Sequence, residues 1–199
     1  PPKEADKPIK LPGVARPLEG TSRPGHFEGV ITVVFRLFRI VHPDVAIFGL
    51  KDYQQVRVIE EIVIHEGLPI RIIRHPTVRE KDGLAMSSRN ARLSPAGHRK
   101  ALALSQALRK AETLYKGGER DPHRLEREIR NSLEATHGIT IDYIAVVDAD
   151  TLCEVNPALP VHKAGARGTP EAPPIMMIAA LAAFVEGVRL IDNCLLNPI

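Results

Sequence analysis

Two serines and an arginine stand side by side in a polar stretch, PTVREKDGLAMSSRN, at residues 76–90. Ser87 and Ser88 supply hydroxyl donors, and Arg89 supplies a planar guanidinium fork. Lys81 lies in the same stretch. These groups suit the oxygen atoms of a polyphosphate better than any neutral ligand. The stretch therefore predicts a phosphate site, and an ordinary polar loop that closes a strand remains the alternative.

The residues before this stretch have the order of a βαβ unit. A turn and a short apolar strand are expected at residues 42–50, and a second strand at 68–76. Between them lies an amphipathic helix with Asp52 near its N-cap and Gly67 near its C-cap. Such a unit belongs to a parallel sheet, so ligands are expected beyond the carboxyl ends of its strands.

A second loop, GLKD at residues 49–52, follows the first of these strands. Both loops are expected to leave the sheet at one edge, so Lys51 can reach the same anion as Arg89. The helix that begins near Asp52 adds a partial positive charge at its N-terminus. The convergence of the two loops strengthens the prediction of a phosphate site.

The remaining N-terminal residues predict one helix and a loop. Residues 29–41, GVITVVFRLFRIV, carry apolar side chains on most faces, which indicates a buried helix with Arg36 and Arg39 on its exposed edge. The β-branched run leaves a strand as the alternative. Two stretches rich in Pro and Gly, Pro1–Gly25 and Asn156–Pro174, are expected to be loops.

Two domains are expected, at residues 1–94 and 95–199. The second is expected to be a small α+β domain with antiparallel strands, and a helix is the alternative for the alanine run 179–183. Its expected elements, in chain order, are helices at 95–118 and 121–138, a strand at 139–152, and two strands around Glu186-Gly187.

Composition limits the possible functions. The 199 residues are 44% hydrophobic, which is enough for a core. The net charge is +3 and the pI about 9.0, but 27 basic residues are mixed with 24 acidic ones and aromatics are 4%, so nucleic-acid binding is weakly supported. No membrane helix or secretory signal is evident, and a cytoplasmic location is expected. Cys153 and Cys194 fit no metal spacing.

Four long motifs resemble the pantothenate synthetase family, the pantoate:beta-alanine ligases. They are GTSRPGHFEGV at 20–30, FGLKDYQQ at 48–55, PTVREKDGLAMSSRNARLSP at 76–95 and RLIDN at 189–193. The resemblance spans nearly the whole chain. It implies an α/β fold in which the C-terminal part of a Rossmann-like nucleotidyltransferase domain, with a parallel sheet, precedes a small α+β lid domain.

The resemblance also implies a reaction and a set of site residues. Pantoate attacks ATP to give pantoyl adenylate and pyrophosphate, and beta-alanine then displaces AMP, with Mg²⁺ accompanying the ATP. A homodimer is implied as well. Carried over by position, the resemblance implies that Gly49 and Asp52 bind the ribose of ATP, with Leu50 between them, and that the main chains of Val78 and Met86 bind adenine. The phosphates are bound by the catalytic residues Lys51, Ser87, Ser88 and Arg89. Pantoate is bound by Gln55.

The chain departs from the family pattern in two ways. Leu50 stands where the family most often has glutamate, which removes an acceptor but leaves Lys51 and Asp52 in place. The family also begins with a strand, a loop with two histidines and a helix, and these residues do not contain that motif. We therefore expect the 199 residues to be inactive alone.

Two other functions compete with the ligase. The chain can instead be a catalytically dead nucleotide-binding or assembly module, or a nucleic-acid-binding protein as its basic pI permits. Within the SRPGHF sequence, Arg23 and His26 are weaker candidates for substrate contact, because loop histidines are mostly structural.

Overall fold

A computed structural model describes residues 10–155 and 176–196. The chain divides into two compact units, Pro1–Pro76 and Thr77–Ile199. The domain boundary between Ser94 and Pro95 stays a prediction. Asn156–Pro174, expected to be a loop, lies outside the described residues.

The first unit contains the expected βαβ arrangement. Its two strands are parallel and pair in register from Val45 opposite Arg71 to Gly49 opposite His75. Its elements are α1 (Glu19–Ser22), α2 (His26–Val41), β1 (Val45–Gly49), α3 (Tyr53–His65) and β2 (Arg71–His75), with 3-10 turns at Gly13–Ala15 and Leu50–Asp52.

Helix α3 forms the centre of the first unit's core. Its apolar side chains at Val58, Ile59 and Ile62 are almost fully buried. Asp52 is the N-cap residue, and Gly67 adopts a positive φ of 61° just after the helix, as the sequence predicted. The helix-capping signals therefore placed both ends of α3 correctly.

Helix α2 confirms the helical prediction and excludes the strand alternative. Its expected burial is only half correct. One face, including Phe27 and Ile31, is buried, whereas Val33, Leu37 and Ile40 are more than half exposed within the described structure. An apolar stripe alone indicates that a face can be buried but does not identify which residues cover it.

The proline-rich start is not a plain loop. A 3-10 turn at Gly13–Ala15 and helix α1 interrupt it. The prediction was wrong here because it considered local composition only, whereas the buried amide of Gln54 in α3 holds this segment through the carbonyl oxygens of Val14 and Pro17.

The second unit is an antiparallel sheet covered by two helices. The strand order is β3-β4-β5, and both neighbouring pairs are antiparallel. Its elements are a 3-10 turn (Ser88–Arg92), α4 (Pro95–Lys116), α5 (Pro122–Glu134), β3 (Ile139–Asp148), β4 (Met177–Val185) and β5 (Val188–Leu196).

Local signals explain where these elements begin and turn. The Ser94 hydroxyl and the Asp121 carboxylate cap α4 and α5 by accepting bonds from the N–H groups of Gly97 and His123. Between β4 and β5, Glu186 and Gly187 adopt φ values of 50° and 75°, as a two-residue hairpin turn requires.

The alanine run 179–183 is a strand, and the helical alternative was wrong. Its residues lie in β4, at the middle of the sheet, and are buried. Helix α4 packs against β4 and β5. Small side chains on a central strand allow this helix to approach closely, so the tertiary context outweighs the helix propensity of alanine. The α/β class with a parallel sheet and a separate antiparallel sheet is confirmed.

Across the described residues, no helix combines the length and the apolar character needed to cross a membrane.

Candidate functional site

One group of predicted site residues lies where β1 ends and α3 begins. Gly49 is the last residue of β1, and Leu50–Asp52 form a 3-10 turn that runs directly into the helix. The Lys51 side chain is 16% exposed, and its Nζ lies 3.8 Å from Oδ2 of Asp52. The sequence therefore folds locally so that a lysine stands beside the N-terminus of a helix, where anions are favoured.

Two adjacent glutamines in α3 have different environments. Gln55 is half-buried. Gln54 is buried: its Oε1 accepts from the Glu19 N–H at 3.0 Å, and its Nε2 donates to Val14 O at 2.8 Å and to Pro17 O at 2.7 Å. Sequence reasoning missed Gln54, although its position on the apolar face of an amphipathic helix was the available signal.

Arg23 and His26 lie near this segment and contact each other. The Arg23 Nη1 is 3.2 Å from His26 Nε2 and donates to Glu19 Oε2 at 3.3 Å. Contact of either residue with a substrate stays a prediction.

The parallel register shows where the chain leaves the sheet of the first unit. Gly49 is paired with His75, so β1 and β2 end side by side, and the chain leaves β2 at that edge. Ligand sites of open parallel sheets lie at this edge, which supports the expected place of the site in the first unit.

The other group of predicted site residues begins with a small hairpin at residues 78–86. The Met86 N–H donates to Val78 O at 2.9 Å, and Arg79 pairs with Ala85 as an antiparallel bridge. Val78 and Met86 are 52% and 54% exposed. Their main chains are therefore ordered by each other while their side chains lie at the surface.

Glycine is required at the tip of this hairpin. Gly83 has φ +100°, and a Cβ there would lie 2.6 Å from Nη2 of Arg109. A side chain at this position would be strained by the backbone, and the flexible end of the Arg109 side chain would have to move aside.

The serines and arginine follow the hairpin directly. Ser87 is the N-cap of the 3-10 turn, and its Oγ accepts from the Arg89 N–H at 3.2 Å. Ser87 is half-buried, whereas Ser88 and Arg89 are exposed. Because the Ser87 oxygen serves as an acceptor, its hydroxyl hydrogen can be donated to a ligand.

Buried Asn90 holds the backbone beneath these residues. Its Nδ2 donates to Ala85 O at 3.1 Å and to Glu80 Oε1 at 2.5 Å, and its N–H donates to Ser87 O at 3.0 Å. Among the described residues, its Oδ1 is the buried side-chain oxygen that lacks a hydrogen-bond partner. Asn90 ends the sequence motif at residues 76–90, but no role was predicted for it. Its place after three polar residues did not indicate that it is buried.

A charged pair ties the hairpin to the antiparallel sheet. Arg79 donates from Nη1 to Asp192 Oδ2 at 2.7 Å and from Nη2 to Asp192 Oδ1 at 3.0 Å. The hydrogen bonds of Asp192 raise the pKa of Arg79 above its ordinary value. Asp192 is 3% exposed in β5. The sequence signal for a buried charge was Asp192 itself, an acidic residue in a largely apolar strand. That its partner is Arg79 could not be predicted from spacing.

The other end of the segment is held by Glu186. Its carboxylate accepts from the Ser94 hydroxyl at 2.7 Å and from the Ser94 N–H at 2.9 Å. Both bonds lower the pKa of Glu186, and the bond from the hydroxyl has the larger effect. A Cβ at Gly97 would lie 2.4 Å from the Glu186 Oε2, so glycine leaves room for the carboxylate.

Glu80, Asp82 and His98 form a group that is compatible in type with a metal ion. Their ligand atoms lie within 4.8 Å of one another. However, the His98 Nε2 and the Asp82 Oδ2 already form a hydrogen bond of 2.7 Å, which lowers the pKa of Asp82. The group is therefore explained as a surface hydrogen bond that fastens the hairpin to α4.

The structure places the predicted residues in two local groups. Gly49, Leu50, Lys51, Asp52 and Gln55 belong to the first unit, and Val78, Met86, Ser87, Ser88 and Arg89 belong to the second. Each group is compact in sequence and ordered by local contacts. The meeting of both groups around one ligand stays a prediction.

Comparisons with known proteins give consistent matches. A family model described as Pantoate-beta-alanine ligase matches residues 2–195. Pantothenate synthetase of Moorella thermoacetica is 45% identical over 189 residues, which are 95% of this chain and 62% of the relative. That of Geobacter sp. is 47% identical over 178 residues, or 89% of this chain and 58% of the relative.

Two solved structures are also similar. The crystal structure of pantothenate synthetase from Thermus thermophilus has a TM-score of 0.83 and 34% identity, covering 99% of this chain and 66% of its own. Pantoate-beta-alanine ligase from Francisella tularensis, complexed with beta-gamma ATP and beta-alanine, has a TM-score of 0.64 and 29% identity, covering 96% and 58%. The chain spans about three fifths of the length of the curated relatives it matches.

Proposed function

The chain belongs to the pantoate-beta-alanine ligase family, and we propose that the whole protein joins pantoate to beta-alanine with consumption of ATP. In the first step, a pantoate carboxylate oxygen bonds to the α-phosphorus of ATP and pyrophosphate leaves. In the second, the amine of beta-alanine attacks the acyl carbon of pantoyl adenylate and AMP leaves. The complex of the Francisella tularensis ligase with beta-gamma ATP and beta-alanine supports these two substrates.

The single observation that carries the proposal is the segment Ser87–Arg89, exposed at Ser88 and Arg89 and fixed from below by the buried amide of Asn90. Two hydroxyl donors and a guanidinium on an ordered turn suit a polyphosphate. An in-line displacement at phosphorus needs positioning and charge neutralisation more than covalent help. Ser87, Ser88 and Arg89 supply this in the second unit, and Lys51 supplies a further charge in the first.

The other roles are those that the family resemblance implies for these positions. Gly49, at the end of β1, and Asp52, at the N-cap of α3, hold the ribose, and Leu50 lies in the turn between them. The main chains of Val78 and Met86 hold adenine. Half-buried Gln55 offers an amide that can both donate to and accept from pantoate. Mg²⁺ enters with the nucleotide and balances phosphate charge. We also propose a homodimer in the cytoplasm.

The experiment supplies the whole protein with ATP, Mg²⁺ and pantoate. Pyrophosphate and pantoyl adenylate are expected without beta-alanine, and AMP and pantothenate in equal amounts once beta-alanine is added. The same assay on residues 1–199 alone tests the expectation that this chain is inactive by itself.

A catalytically dead nucleotide-binding or assembly module is the alternative function, and the same assay distinguishes it from the ligase. Binding of ATP by the whole protein without release of pyrophosphate or AMP would establish this alternative and overturn the ligase. Nucleic-acid binding has no comparable support.

A further inference from the structure

The pairing of Arg79 with Asp192 goes beyond what a surface ion pair provides. The guanidinium uses two nitrogens on the two carboxylate oxygens, at 2.7 and 3.0 Å, and the Asp192 side chain is 2% exposed. Arg79 Nη1 also donates to Gly83 O at 3.1 Å, and Asp192 Oδ1 accepts from the Asn193 N–H at 2.8 Å. The fork therefore fixes both distance and angle between the hairpin and strand β5.

The hairpin connects this fork to the phosphate segment, Ser87–Arg89. Arg79 lies opposite Ala85, and the backbone bonds on either side of this pair run from the Glu80 N–H to Leu84 O and from the Met86 N–H to Val78 O. Ala85 O accepts from the Asn90 side chain, and the Asn90 N–H donates to Ser87 O. These contacts offer a route by which the position of Arg79 can affect Ser87.

The gross fold of the hairpin has a separate anchor. Leu84 is 3% exposed and belongs to the apolar core of the second unit, together with residues of α4 and β4. The hairpin is expected to stay attached to the unit through Leu84 when the ionic fork is weakened. If the hairpin stays attached when the fork is weakened, a loss of activity reports a role of the fork in fine positioning and not in folding.

We propose that Arg79 and Asp192 are positioning residues for the phosphate segment, which aim Ser87, Ser88 and Arg89 at the nucleotide. This inference rests on the proposed function. The physical reason is that a displacement of about 1 Å in a positioning group can cost on the order of 10²-fold in rate. A buried charged pair is a weak source of stability but defines a single geometry for its partners.

The chain offers a matched control on the same strand. Arg189, in β5, donates from Nε and Nη2 to Asp142 Oδ2 at 2.9 and 2.7 Å, which is a second arginine–carboxylate pair of the antiparallel sheet. Asp142→Asn weakens that pair without changing any residue of the hairpin at 78–86. Asp192→Asn keeps the shape but removes the charge, and Arg79→Lys keeps the charge but removes the fork.

The test measures adenylate formation and backbone hydrogen exchange in the whole protein carrying each substitution. For Arg79→Lys and Asp192→Asn, kcat is expected to fall by about 10-fold or more. The KM for pantoate should remain near the wild-type value. Exchange at the amides of Met86 and Asn90 should become faster. Asp142→Asn should leave all three readouts within a factor of about two of wild type at equal folded fraction.

The proposal is overturned if all three variants have the same kcat and the same exchange rates. In that case the Arg79–Asp192 pair has no more effect on the phosphate segment than the Arg189–Asp142 pair. If Asp192→Asn fails to fold, the partly exposed Arg79→Lys still decides, since it retains both charges. If wild type forms no adenylate, the proposed function fails, and the exchange at Met86 and Asn90 still tests whether the fork orders the segment.

Discussion

The carboxylate of Glu186 accepts both the hydroxyl and the backbone N–H of Ser94, at 2.7 and 2.9 Å. Glu186 lies in the hairpin turn between β4 and β5, and Ser94 follows the phosphate segment and caps α4. One side chain therefore fastens the exit of the segment to the turn of the sheet.

This contact predicts a pH-dependent loss of stability. The folded-state pKa of Glu186 is lowered from its ordinary value of 4.5, because Ser94 hydrogen bonds favour the carboxylate. The contribution is therefore fully present above that ordinary value and is lost as pH falls through the lowered pKa. Glu186→Gln should lower the melting temperature at neutral pH, and the difference from wild type should shrink in acid. Thermal unfolding between pH 7 and 3 measures this, and a constant difference would contradict it.

Gln54→Ala is expected to destabilise the first unit. The substitution removes three hydrogen bonds, two of them buried, and takes away the partner that Gln54 supplies to the Val14 carbonyl and to the Glu19 N–H. A loss of about 2 kcal/mol or more in the free energy of unfolding follows. Urea unfolding measures it, with half-buried Gln55→Ala as the neighbouring control. Equal, small effects of the two substitutions would show that Gln54 does not hold the segment.

Gln55→Ala is expected to affect substrate binding and not stability. Pantoate binding should weaken by about 10-fold, since an amide that contacts the substrate is typically worth about 1 kcal/mol or slightly more. ATP binding should remain near wild type, because Gln55 lies beyond the start of α3, where the ribose is proposed to bind. Calorimetry with each ligand separately is the measurement. A loss of ATP affinity with pantoate affinity intact would contradict the assignment.

Much of this fold was predictable because its signals are local. The ends of α3 followed from Asp52 and Gly67, and the hairpin at Glu186-Gly187 followed from a turn pair between apolar runs. Where local patterns were ambiguous, the choice depended on distant packing. The alanine run joined a sheet because β3 and β5 lie on either side of it.

The supporting contacts of the candidate site were not predictable for the same reason. Arg79 finds Asp192 across 113 residues, and no spacing rule connects them. Asn90 and Gln54 are polar residues whose burial depends on the segments that fold over them. The residues proposed to touch ligand were visible as motifs, whereas the residues that hold those motifs appeared only in three dimensions.

The central claim is that Lys51 and the serine–arginine segment stabilise the phosphates during adenylation, and single-turnover formation of pantoyl adenylate by the whole protein tests it most directly. Lys51→Ala should slow this step by about 10²-fold with little change in melting temperature. Ser88→Ala should have a milder effect, since it removes a neutral donor. Lys116→Ala, which removes an exposed lysine paired with Glu112 on α4, should match wild type. A Lys51→Ala rate within a factor of about two of wild type would contradict the account.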